Sequence, residues 1–70
     1  MQPIQTPGDL GEIIRQTRKS QGLTQAELAG LSSVGITFLS NIENGKETAE
    51  IGKVLVVANT LGLDLFAARR

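Results

Sequence analysis

Residues 22–35, Gly-Leu-Thr-Gln-Ala-Glu-Leu-Ala-Gly-Leu-Ser-Ser-Val-Gly, restrict the fold more than any other stretch. Gly22 tolerates positive φ, so a helix arriving from upstream ends near Gln21. Thr24-Gln25-Ala26-Glu27 then matches a capping box, in which Thr24 caps the Glu27 amide and the Glu27 side chain reaches back. The helix it opens must stop soon, because Gly30-Leu31-Ser32-Ser33-Val34-Gly35 places two glycines and two serines within six residues. A chain punctuated this closely is confined to short helices, none of which buries its apolar face alone.

The remaining elements follow from the same punctuation. Residues 1–6, Met-Gln-Pro-Ile-Gln-Thr, are expected to form a flexible arm. Thr6 at the cap, Pro7 at the first helical position and Asp9 in the first turn start a helix, with Leu10, Ile13, Ile14 and Thr17 on its apolar face. Leu28, Ala29 and Leu31 are expected to face inward from the second helix. A third runs from about Ile36 to Asn44, with Phe38, Leu39 and Ile42 as its apolar members and Gly45 closing it. Thr48 is expected to cap a fourth helix reaching Leu61 and closed by Gly62. Ile51, Leu55, Ala58 and Leu61 form its stripe, and Val54 and Val57 widen it. A helix apolar over that much of its surface is buried on more than one side, so a second copy of the chain is expected against it. Residues 63–70 have two readings. Asp64 caps a last helical turn, or Leu63 and Leu65 face one way from a short edge strand. The fold class is therefore all-α, a compact bundle of four to five helices with a possible short C-terminal strand, and residues 7–62 form its main unit.

Seventy residues bury only roughly 60% of the surface their unfolded chain exposes, so an isolated domain of this size is marginal. Cysteine and histidine are both absent, which excludes disulfides and the usual metal and neutral-pH acid–base groups. No metal or cofactor is expected, and the scattered carboxylates form no catalytic motif, so the chain is not expected to be an enzyme. Association is the remaining route to stability. No run approaches the ~18 apolar residues of a membrane span, and no basic start leads into an apolar signal segment. A cysteine-free chain suits a reducing cytoplasm.

Seven basic residues balance seven acidic ones, so bulk charge alone does not attract nucleic acid. Asp9 and Glu12 near the start of the first helix, with Arg15, Arg18 and Lys19 toward its end, complement the helix dipole. The third helix carries no Lys or Arg. Two short helices around a tight polar turn nevertheless outline a helix-turn-helix. Gly22 through Lys46 closely resembles the phage-repressor-like (XRE/Cro) helix-turn-helix family, through Leu23-Thr24-Gln25, Leu28-Ala29, Ser40 and Glu43-Asn44-Gly45. Ser33 departs from the family's usual turn glycine, and left-handed geometry there costs roughly 1–2 kcal/mol. Gly35 replaces a capping Ser or Thr at a cost of only a few tenths of a kcal/mol, to order of magnitude.

The resemblance implies a lambda-repressor-like DNA-binding domain whose third helix enters the major groove. Gln25 would meet a phosphate and brace that helix. Gly35 would start it, and Ile36, Thr37, Ser40 and Asn41 would face base edges. Asn44 and Lys46 would approach the backbone. An uncharged helix suits this role, because phosphates position a protein while base edges specify the sequence. The resemblance also pairs Arg18 with Glu43. A narrower similarity, in Thr6-Pro7 and Leu61-Gly62-Leu63-Asp64-Leu65, is to HipB-type antitoxins. It implies autorepression of a toxin–antitoxin operon and binding of a HipA-like kinase toxin. The expected partners are thus an operator duplex, a second copy through Val54, Val57, Leu63 and Leu65, and such a toxin. The neutral charge keeps one alternative open, a protein-interaction module that neutralises a partner without specific DNA binding.

Overall fold

A computed structural model describes residues 2–70, in which four helices follow one another: α1 (Pro7–Ser20), α2 (Gln25–Ser32), α3 (Ile36–Glu43) and α4 (Ile51–Thr60). Each boundary has a local cause. The Thr6 hydroxyl accepts from the Asp9 amide at 3.0 Å, and Pro7 follows it. Both halves of the Thr24–Glu27 box form, at 3.1 Å and 2.9 Å. The Thr24 amide and hydroxyl hold the Glu27 carboxyl below its ordinary acidity range. Ser33 ends α2 at φ 56°, ψ 40°, in the left-handed geometry that glycine adopts at no steric cost. The turn therefore bears a steric cost at Ser33 that a glycine there would avoid.

Helix α4 starts later than the sequence suggests. Glu50 rather than Thr48 is its cap, and no side chain bonds the free amides there. Residues 63–70 form neither the helical turn nor a strand, since a single chain supplies no strand for them to pair with. At the other end, the Gln5 amide donates to the Asp9 carboxylate at 3.0 Å, tying the arm to the first turn of α1.

The core gathers Ile14 from α1, Leu28 and Ala29 from α2, Leu39 and Ile42 from α3, and Val54, Val57 and Leu61 from α4 and its end. Ile14, Leu28, Leu39 and Val57 are fully enclosed. Helix α3 packs on α1 and α2, and α4 packs on α2. Two inward expectations are corrected here. Leu31 is 65% exposed, because Leu28, Ala29 and Ser32 already fill the face that α2 turns inward. Helix α4 buries the face carrying Val54, Val57 and Ala58 and leaves Ile51, Leu55 and Val56 outside. Val54 and Val57, expected at a subunit interface, are 5% and 0% exposed within a single chain and have no surface to offer a partner. Leu63 is half-buried against the same core, and Leu65 is exposed.

Candidate nucleic-acid interface

Helix α3 is eight residues long, and successive side chains sit about 100° apart around it. Leu39, Ile42 and Glu43 are its buried members. Diametrically opposite them lie Thr37 and Asn41, flanked on one side by Ile36 and Ser40 and on the other by Phe38. Ile36 and Thr37 are exposed, while Ser40 and Asn41 are half-buried. Gly35, Asn44 and Lys46 are exposed at the two ends of this surface, and Gln25 is half-buried at the start of α2. Uncharged donors, acceptors and a methyl-bearing side chain thus occupy the outer face of a helix too short to hold itself in place.

What holds it is a charged clasp behind its last turn. The Arg18 guanidinium donates through Nε to Glu43 Oε2 at 2.7 Å and through Nη2 to Glu43 Oε1 at 3.0 Å. Its Nη1 donates to the Leu23 carbonyl at 2.9 Å. Gln25 Nε2 completes the set, donating to Glu43 Oε1 at 3.1 Å. One carboxylate therefore joins α1, α2 and α3, and the fork-to-fork geometry fixes the azimuth of α3 as well as its distance. The Arg18 and Glu43 side chains are 9% and 2% exposed, so the pair is buried. Gln25 has one side-chain N–H bound in this brace, which does not use the second.

The clasp sets a pH dependence. Burial works against the ionised Glu43 carboxylate, but hydrogen bonds from Arg18 and Gln25 and the nearby charges of Arg18 and Arg15 overrule it, so its pKa falls below the ordinary 4.5. The Glu43 hydrogen bond in turn raises the already high pKa of Arg18. The unfolded chain takes up the Glu43 proton near pH 4.5 and the folded chain only at lower pH. Stability from this group is complete above that value and is lost as pH falls through the folded pKa. Urea midpoints measured at pH 7 and pH 3 are expected to drop in the acid, with some of the loss absent in Glu43→Gln.

One supporting residue was not singled out in the sequence. Gly11 is buried in the middle of α1, where a Cβ would overlap the Ile42 carbonyl oxygen and come within 2.9 Å of that of Glu43. The missing side chain lets the last turn of α3 lie directly on α1. The available signal was a glycine inside a strongly periodic helix, where alanine is favoured by about 1 kcal/mol. Gly45 has a similar role just beyond the end of α3, at φ +81°, with its Cβ position 3.0 Å from the Gly8 Cα.

A helix-turn-helix domain family matches residues 11–66. The uncharacterised HTH-type transcriptional regulator y4mF of Sinorhizobium fredii is 52% identical over 62 residues, covering 89% of this chain and 82% of that protein. The ImmF control region 10 kDa protein of Bacillus phage phi105 is 36% identical over 56 residues, 80% of this chain and 62% of that protein. Among solved structures, a chain of the HipB-O4 20mer complex superposes with a TM-score of 0.89 at 25% identity, covering 99% of this chain and 97% of its own. A chain of the HipA-HipB-O2-O3 complex gives a TM-score of 0.90 at 25% identity, with coverage of 99% and 97%.

Proposed function

We propose that this chain, which belongs to the helix-turn-helix domain family, represses transcription by reading a near-palindromic operator as a two-fold dimer. Its kinship is with DNA-binding transcription regulators. The observation that carries the finer reading is the outward face of α3. Thr37 and Asn41 stand opposite the side of the helix that the Arg18–Glu43–Gln25 clasp holds down. Asn41 has the donor–acceptor pair that matches an adenine edge, Thr37 and Ser40 can give or take hydrogen bonds, and Ile36 can meet a thymine methyl. Gln25, Asn44 and Lys46 supply the backbone contacts, and Gly35 lets the start of α3 approach without a side chain in the way.

A neutral chain with few cations near α3 gains little from phosphates alone, and two reading heads compensate. The buried positions of Val54 and Val57 move the proposed pairing surface outward. Ile51 and Leu55 on α4, 65% and 42% exposed, combine with Leu65 and Phe66 of the tail, 44% and 76% exposed. Two heads so joined address half-sites about one helical turn, roughly 34 Å, apart. The likeness over nearly the whole chain to HipB, including a copy assembled with HipA, supports an antitoxin that also binds a kinase-like toxin.

Selection from a random duplex pool tests the DNA reading and the pairing together. The enriched sequences are expected to be near-palindromic, and Asn41→Ala to weaken binding to them by ~1–3 kcal/mol, the worth of one good bidentate base contact. Enrichment of no sequence would refute base reading, and a solitary half-site together with a monomer in sedimentation would refute the dimer.

A further inference from the structure

Lys53 lies outside the helix-turn-helix, on α4, and yet it stands against the recognition helix. Its Nζ is 5.8 Å from the centroid of the Phe38 ring, within cation–π range. Phe38 is the residue on α3 that borders Asn41 on the side away from Ser40. Lys53 is held by Glu50, the residue that caps its helix, at 3.2 Å, and both of these side chains remain more than half exposed.

The circumference of α4 separates this residue from the apolar surface. With about 100° between successive residues, Val54, Val57 and Ala58 mark the buried direction. Ile51 and Leu55 fall on one side of it and Lys53 on the other. The flank that carries Lys53 therefore stays open when the Ile51–Leu55 flank is covered by a second copy.

The charge distribution gives this position weight. Helix α3 has no cation, and Arg18 is committed to Glu43. Lys46 stands at the loop beyond the end of α3, leaving the Phe38 edge without a cation of its own element. We infer that Lys53 is a backbone anchor for the bound duplex: seated on the Phe38 ring, it neutralises a phosphate on the strand that borders the Asn41 side of α3. Glu50 is its partner in the free protein and its competitor in the complex. Nothing in this contact distinguishes one base pair from another, so it sets affinity, groove register and salt dependence while α3 sets the sequence.

The inference rests on the DNA-reading function, and titrations of the full chain against a random 30-base-pair duplex pool, in ~50–200 mM salt where phosphate contacts dominate, separate the two. Lys53→Gln is expected to reduce the slope of log affinity against log salt by roughly 0.9 per subunit, the release accompanying one neutralised phosphate. Phe38→Leu keeps the core contact but removes the platform, and is expected to lower the slope partly. Glu50→Gln frees the ammonium and is expected to tighten binding. Thermal melting of each variant separates anchoring from stability, since an exposed lysine contributes little to the fold. A wild-type chain that binds no duplex would overturn the DNA-reading function itself. A wild-type chain that binds, with Lys53→Gln matching its slope and affinity, would overturn only the anchor.

Discussion

Arg18→Met is expected to lower the melting temperature by tens of degrees. Removing one member of a buried, hydrogen-bonded ion pair typically costs ~3–5 kcal/mol, because the other charge stays behind without its partner. The residue left behind is Glu43, whose side chain is 2% exposed and retains only Gln25 as a donor. Its carboxylate also sits in the last turn of α3, where the helix dipole repels a negative charge. In a domain this small each kcal/mol moves the midpoint by about 4–8 °C, so the variant is expected to be largely unfolded at growth temperature. Circular dichroism melts measure this directly. Combining Arg18→Met with Glu43→Leu removes both charges and is expected to recover much of the loss, since well-packed apolar pairs replace buried ion pairs at little cost. A shift of only a few degrees in the single variant would mean that water reaches the pair and screens it.

Gly11→Ala is the second large effect, and its sign is diagnostic. Helix propensity alone predicts a gain of about 1 kcal/mol. At Gly11 the added methyl instead meets the backbone carbonyls of Ile42 and Glu43, which cannot rotate aside as a side chain can. Overpacking of this kind costs ~1–3 kcal/mol or more, and here it pushes α3 away from α1. The displacement acts on the Arg18–Glu43 bonds as well, so operator affinity is expected to fall along with stability. Gly30→Ala provides the contrast, because that helical glycine faces open space and its substitution is expected to stabilise by up to about 1 kcal/mol. Urea midpoints of the two variants should move in opposite directions, and a stabilised Gly11→Ala would show that α3 does not lie as close to α1 as described.

Much of the outward face of α3 is legible in the sequence. Thr37 and Asn41 stand outward on α3, and Arg18 reaches Glu43 across 25 residues of sequence. These positions follow from the periodicity of a helix whose ends are well marked and from a motif specific enough to number. Other features were not legible. The burial of Val54 and Val57 could not be told from that of Ile51 and Leu55, because α4 is apolar nearly all round and its period fits more than one orientation. Leu31 was expected inside for its chemistry alone, although Ser32 takes the inward place beside it. The importance of Gly11 lies in Ile42 and Glu43, residues remote in the chain, so its local sequence does not mark it.

The division has a physical origin. Helix starts and stops are decided by bonds spanning three or four residues: Thr6 to Asp9, Thr24 to Glu27, and the left-handed turns at Ser33 and Gly45. The amino-acid order alone carries that information, and with it the outline of two short helices around a tight turn. Which side of α4 is covered, how near α3 approaches α1, and where Lys53 comes to rest depend instead on excluded volume among segments far apart in the chain. Those choices are made only when Leu28, Leu39 and Val57 compete for the same interior, and it was tertiary packing that made them.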